Sequence, residues 1–114
     1  MLEKLYGIDT AQGMGFCMDD EDIYREILEE YLSSDKSAVL EECFANKNWK
    51  DYQVYIHAVK STSKTIGANK VADMALDLEM ACKEGRESDI IEGHAECMAE
   101  FKRTLDIVRT AIND

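Results

Sequence analysis

The chain contains no proline. Proline breaks helix interiors, so long stretches rich in Ala, Leu, Glu, Lys and Met can run as uninterrupted helix here. Glycine, the other breaker, occurs only at positions 7, 13, 15, 67, 85 and 93 of 114 residues. No segment approaches the roughly 18 consecutive apolar residues of a membrane span. The opening MLEKLYGIDTAQG lacks the basic start and apolar run of a secretory signal. Basic residues are scarce as well, 13 Lys and Arg against 24 Asp and Glu, giving a net charge of −11. That balance argues against binding nucleic acid or anionic membrane surfaces, and it suits a soluble cytoplasmic protein.

Close pairs of metal ligands are missing too. Cys17, Cys43, Cys82 and Cys97 form no CxxC, so they read as small core residues, reduced in a cytoplasmic setting. Only two histidines occur, and the residues three before them are Val54 and Ile91 rather than the glutamates of a di-iron bundle. Haem ligation by Met and His is the remaining metal reading, but methionines in a breaker-free helical chain more often fill core gaps. There is no GxSxG elbow, no phosphate-cradling glycine loop and no cysteine–histidine pairing. The cofactor expectation is therefore none.

What remains is helical. The hydrophobic fraction of 46% supports a folded core, and without repeats or a linker the expectation is one domain over residues 1–114. A short helix is expected over Leu2 to Tyr6, then one capped by Thr10 and ending near Met18. Asp19 or Asp20 should start DDEDIYREILEEYLSSD, with Ile23, Ile27, Leu28, Tyr31 and Leu32 as its apolar stripe. Ser34 or Asp35 caps the next helix, through Ala38 to Phe44. A helix from about Trp49 to Ile66 is stopped by Gly67. Asn69 caps the following one, whose Val71, Met74, Ala75, Leu78 and Cys82 face inward and which Gly85 closes. The last helix runs from Ser88 to about Ile112 with Ile90, Ile91, Ala95, Met98, Phe101, Leu105, Ile107 and Val108 as apolar positions, Gly93 costing it about 1 kcal/mol. Short turns between such helices predict an all-α, antiparallel up-down-up-down four-helix bundle with a short N-terminal helical cap.

One stretch departs from the acidic background. Between Tyr52 and Ala72 there are three lysines and no acid, a local charge of +3. A helical turn of about 100° per residue puts Gln53, His57, Lys60, Ser61 and Lys64 on one stripe, and Tyr52, Tyr55, Val59, Thr62 and Ile66 on the opposite, mainly apolar one. A histidine on the polar side among lysines is favoured as the neutral imidazole, which is a nucleophile, and neighbouring cations would stabilise a phosphoryl group added to it.

The residues His57-Ala-Val-Lys60-Ser61-Thr-Ser63-Lys-Thr-Ile66-Gly67-Ala68 resemble the signature of histidine-containing phosphotransfer (HPt) domains. His57, Lys60, Gly67 and Ala68 match outright, while Val59, Ser63 and Ile66 match in type. Ser61 stands where the family usually has glycine. DEDIYREILEEYL is similar to the helix preceding this region in the family. The resemblance implies a phosphorelay intermediate in a two-component system: His57 as phosphoacceptor, taking a phosphoryl group from a receiver-domain aspartate and passing it to another. It implies Lys60 pairing with the phosphoryl oxygens, Lys64 adding a weaker field, Ser61 donating a hydrogen bond or leaving room, and Gly67 and Ala68 as structural. Partners would be receiver domains of response regulators or hybrid histidine kinases, which would bring Mg²⁺, met by a monomer through Gln53, Ile56, Lys60, Ser61, Lys64 and a neighbouring face of the Asp20–Ser33 helix. With no nucleotide site, the chain is expected to be a phosphoryl carrier rather than the kinase. The competing reading from another class is a non-catalytic helical interaction module.

Overall fold

A computed structural model describes residues 1–113. The described residues are helical with no strand: a 3-10 turn at Leu2–Lys4, then α1 (Thr10–Phe16), α2 (Glu21–Ser33), α3 (Ser37–Ala45), α4 (Trp49–Ile66), α5 (Asn69–Lys83) and α6 (Glu87–Asn113). Three starts, those of α1, α2 and α4, are set by cap side chains accepting from otherwise unpaired N–H groups. Asp20 caps α2 through the N–H groups of Asp22 and Ile23, and Asn48 caps α4 through that of Asp51. The expected caps moved at three places. Asp9, not Thr10, accepts from Gln12 N–H at α1. Lys36 holds the cap position of α3 without a side-chain bond, and Asp35 accepts from Ser37 N–H instead. Ala68 holds that position at α5, because Asn69 is already helical and its amide exchanges hydrogen bonds with Gln12 of α1.

α4 packs most extensively on α5, α5 on α6, and α6 also on α2, while α3 and α1 lie against α4. The core draws on every helix except α1: Tyr24, Leu28 and Tyr31 of α2, Leu40 and Cys43 of α3, Tyr52, Ile56, Val59 and Ile66 of α4, Val71, Ala75 and Leu78 of α5, and Ile90, Phe101, Leu105 and Val108 of α6. The Tyr31 ring meets Phe101 edge-on at 5.8 Å, and its hydroxyl pairs with buried Ser63 at 2.8 Å. Two expected apolar positions of the last helix, Ile91 and Ala95, point to solvent, and Thr62 and Tyr55 of the central helix are not buried. Their places are taken by Ile56 and Ser63, because the buried face of α4 is wider than one stripe: it meets α5 on one side and α1, α2 and α3 on others. α6 runs through Gly93 unbroken, and a Cβ there would come within 3.1 Å of Leu78, so the small residue lets α5 and α6 approach. Cys17, Cys43, Cys82 and Cys97 are all free thiols, and burial pushes Cys97 up to about 12.

The end of α4 is the most heavily tied junction. Gly67 has φ +90, the left-handed turn that ends the helix and reverses the chain into α5 within two residues. The last carbonyls of a helix lack intrahelical partners. Here Lys64 O accepts from Gln12 Nε2 at 2.8 Å, Ile66 O from the Tyr24 hydroxyl at 2.7 Å, and Gly67 O from Asp9 N–H at 2.8 Å. A Cβ at Gly67 would stand 2.1 Å from Asp9 O. Gly67→Ala is expected to lower unfolding stability by at least about 2 kcal/mol, since a left-handed L-residue alone costs about 1–2 kcal/mol and Asp9 must also move. A denaturant titration giving a change below about 0.5 kcal/mol, the scatter of an ordinary surface substitution, would contradict this account.

Candidate functional site

The reversal at Gly67 lays α5 alongside α4, and this brings residues about twenty apart in sequence together. His57 lies on the exposed side of α4 with 56% of its side chain accessible. Beneath it is Glu79 of α5, whose side chain is only 3% accessible. His57 Nδ1 hydrogen-bonds Glu79 Oε2. Lys60, one turn on from His57, donates from Nζ to the other oxygen, Oε1, at 2.6 Å. Lys83, one turn on from Glu79, places its Nζ 3.8 Å from Oε2. Burial raises the Glu79 carboxyl, but the hydrogen bonds from Lys60 and His57, with the charge of Lys60, outweigh it and the net direction is down. Glu79 is therefore a carboxylate and can only accept. The proton of the neutral imidazole must then sit on Nδ1, which leaves the Nε2 lone pair free on the exposed edge of the ring.

His94, the only other histidine, sits in a different environment. Both its nitrogens are engaged and the residue is 4% accessible. The Tyr52 hydroxyl pairs with Nδ1 at 2.8 Å, Nε2 meets the Glu41 carboxylate at 2.7 Å, and the Phe44 ring stacks on the imidazole at 3.9 Å. His94 has no free lone pair to offer. It is a structural residue joining α3, α4 and α6.

The other expected site residues divide. Gln53, Lys60, Ser61 and Lys64 lie on or beside the exposed face of α4 as the stripe predicted. Ile56 does not: it is fully buried in the core, so it is no part of an exposed face. Val54, 63% accessible one turn before His57, is the apolar residue that α4 exposes there. Gly67 and the buried Ala68 form the α4–α5 turn. The positive island is smaller than the sequence count of +3, because Glu79 neutralises Lys60 and Glu100 of α6 lies 3.8 Å from Lys70. Lys64 keeps its charge with no ion pair among the described residues.

Glu79 and Lys83 were missed by reading the sequence. One signal was available: Glu79 falls in phase with Val71, Ala75 and Leu78 on the inward face of α5, and a charge on a buried face must be paired. What the sequence could not say was with whom. Among the described residues, no group of three or more His, Cys, Asp or Glu is placed to hold a metal ion, and no helix is long and apolar enough to cross a membrane.

An imidazole fixed through Nδ1 by a buried carboxylate, with Nε2 open to solvent and cations beside it, defines a helix-borne nucleophile for a small electrophilic group. The chain matches the family model of the Hpt domain over residues 21–111 and belongs to that family, whose members are histidine phosphotransfer modules of phosphorelays. No curated protein and no solved structure matches it.

The contrast between the histidines generates a pH prediction. Burial lowers His94, and Lys102 adds to that, against a smaller opposing pull from Glu41. A buried histidine held neutral stabilises the fold above its ordinary value of about 6.5; below it the unfolded chain takes up a proton that the folded one resists. Glu79 acts elsewhere: its lowered carboxyl contributes stability that is lost only below about 4.5. In a His57→Gln background, where His94 is the only histidine, the urea midpoint should decline as pH falls from 7 to 5. His94→Gln added to that background should flatten the decline; an equal slope in both would assign it to other groups.

Proposed function

We propose that this chain is a phosphoryl carrier of a two-component phosphorelay. It accepts a phosphoryl group on Nε2 of His57 from a receiver-domain aspartate and hands it to a second receiver aspartate. The observation that supports this most directly is the division of labour on one ring: Nδ1 held by buried Glu79, Nε2 unpaired and exposed.

The chemistry follows from that geometry. The Nε2 lone pair attacks phosphorus in line, an N–P bond forms, and the P–O bond of the aspartyl phosphate breaks with its electron pair leaving on the partner's carboxylate. No proton has to move. The Nδ1 hydrogen stays on the ring, which becomes a phosphoimidazolium whose positive charge faces the Glu79 carboxylate. In the reverse sense, retaining that hydrogen makes the leaving group a neutral imidazole, so the phosphoryl group can move on to the next aspartate. Mg²⁺ comes with the receiver domain, and the carrier adds no cofactor of its own.

The receiver docks over the exposed face of α4, on Gln53, Val54, Ser61 and Lys64, and across the shallow groove between α2 and α4 that Ile27, Thr62 and Thr65 line. Lys64 offers a free cation to the acidic pocket of such a partner. On this reading residues 1–114 act as one cytoplasmic carrier domain and as a monomer. Its long helices α2, α4, α5 and α6 alternate up-down-up-down, and the chain performs no nucleotide-dependent step.

Incubation with a phosphorylated receiver domain should place acid-labile, base-stable label on the wild type and none on His57→Gln. Label persisting in His57→Gln would remove the proposal, because His94 has no free nitrogen. Glu79→Gln should keep label on His57 but accept it on the order of ten- to a hundred-fold more slowly, the range seen when carboxylates that orient metal-bound imidazoles are removed. Acceptance at the wild-type rate would deny Glu79 its role.

A further inference from the structure

A phosphoryl group on Nε2 brings close to two negative charges and three acceptor oxygens to the mouth of the α4–α5 cleft. The nearest lysine in sequence, Lys60, is committed elsewhere. Its Nζ lies 2.6 Å from Glu79 Oε1, and its side chain is only 24% accessible. Pulling it toward Nε2 would strip a buried carboxylate of its strongest partner, a costly exchange. Lys64 is seven residues from His57, about 10 Å along the helix axis, and acts only through its field.

Two other groups are placed differently. Lys83 comes from α5, and its Nζ, 3.8 Å from Glu79 Oε2, is in ion-pair contact but outside hydrogen-bond distance. Its ammonium is drawn to the site without being used up by it, and half of its side chain is accessible. Gln53, one turn before His57 on α4, carries a side-chain amide with no hydrogen bond among the described residues. Lys83 and Gln53 line the same open cleft as His57, Val54 and Glu79. A cation held only by a 3.8 Å ion pair and an amide donor with no hydrogen bond among the described residues thus line the cleft beside the ring on which the phosphoryl group would sit.

We infer that Lys83 and Gln53, rather than Lys60, bind the phosphoryl group on His57, and that Lys60 serves as a positioning residue that holds Glu79 under the ring. The assignment rests on His57 being the phosphoacceptor. It divides the cations by function: Lys60 acts before transfer, by fixing the carboxylate that fixes the imidazole, and Lys83 acts after it, by balancing the charge that arrives.

Phosphoramidate, a small phosphoryl donor that needs no docking surface, can load the full chain directly, and ³¹P NMR then follows the phosphohistidine as pH is varied. A contacting cation favours the dianionic phosphoryl, so Lys83→Met should move its titration to higher pH. At equilibrium with a phosphorylated receiver domain, Lys83→Met should also lower the share of phosphoryl on His57 about fivefold or more, as expected for losing a hydrogen bond to a charged group. Lys83→Arg should restore both readings, and Gln53→Leu should shift them in the same direction by less. Lys60→Met should slow loading while leaving the ³¹P titration near that of the wild type. Circular dichroism on each variant checks that the helices persist. A wild-type titration and partition in Lys83→Met, or the titration shift appearing in Lys60→Met instead, would overturn the assignment. Failure of the wild type to be labelled on His57 by either donor would overturn the phosphocarrier reading itself, and this one with it.

Discussion

Glu79 is a charge almost without water, and the site is arranged around satisfying it. A buried carboxylate left alone would cost several kcal/mol, so its two oxygens must find donors. One takes Lys60 and the other takes His57, both from α4, with Lys83 of its own helix close by. The requirement orients the imidazole. Because Glu79 is ionised and can only accept, Nδ1 carries the proton of that hydrogen bond and Nε2 is left as the unpaired, outward edge. In the transfer proposed above, the same carboxylate would face the positive ring of the phosphorylated imidazole, so a single buried charge would serve both states.

That pairing depends on how α4 and α5 are registered, and the register is set at Gly67. A left-handed residue there turns the chain into α5 within two residues, and the turn is held from outside by α1 and α2 through Gln12, Asp9 and Tyr24. The short N-terminal elements are therefore part of what keeps Glu79 beneath His57, although they contribute no group to the chemistry. Gln12 has a double attachment, to the end of α4 and to Asn69 at the start of α5, which fixes both helices at their junction.

The two histidines show how environment separates roles for one residue type. His94 gives each nitrogen a partner and a ring face to Phe44, and it binds three helices together. His57 gives one nitrogen to the protein and keeps the other for solvent. The projection of the central helix correctly put His57 on a polar face, and the motif around it pointed to the right family. It placed only lysines beside the histidine, however, since a count along one helix cannot include an acid delivered by another. For the same reason the local charge of +3 was too large, as Glu79 and Glu100 cancel part of it.

The sequence by itself determined the helical character, the limits of α4, the glycine stop and the family. Each is a local matter: absence of proline, period of the apolar residues, cap chemistry, and one short motif. It misjudged Ile56, because a stripe drawn on an isolated helix does not say how many neighbours cover it, and α4 is covered on several sides. Only the tertiary structure decided which imidazole nitrogen is free, which lysine is already occupied and which remains available. Those depend on the packing of α5 against α4, where contacts span about twenty residues and a single buried carboxylate selects its partners by distance rather than by order in the chain.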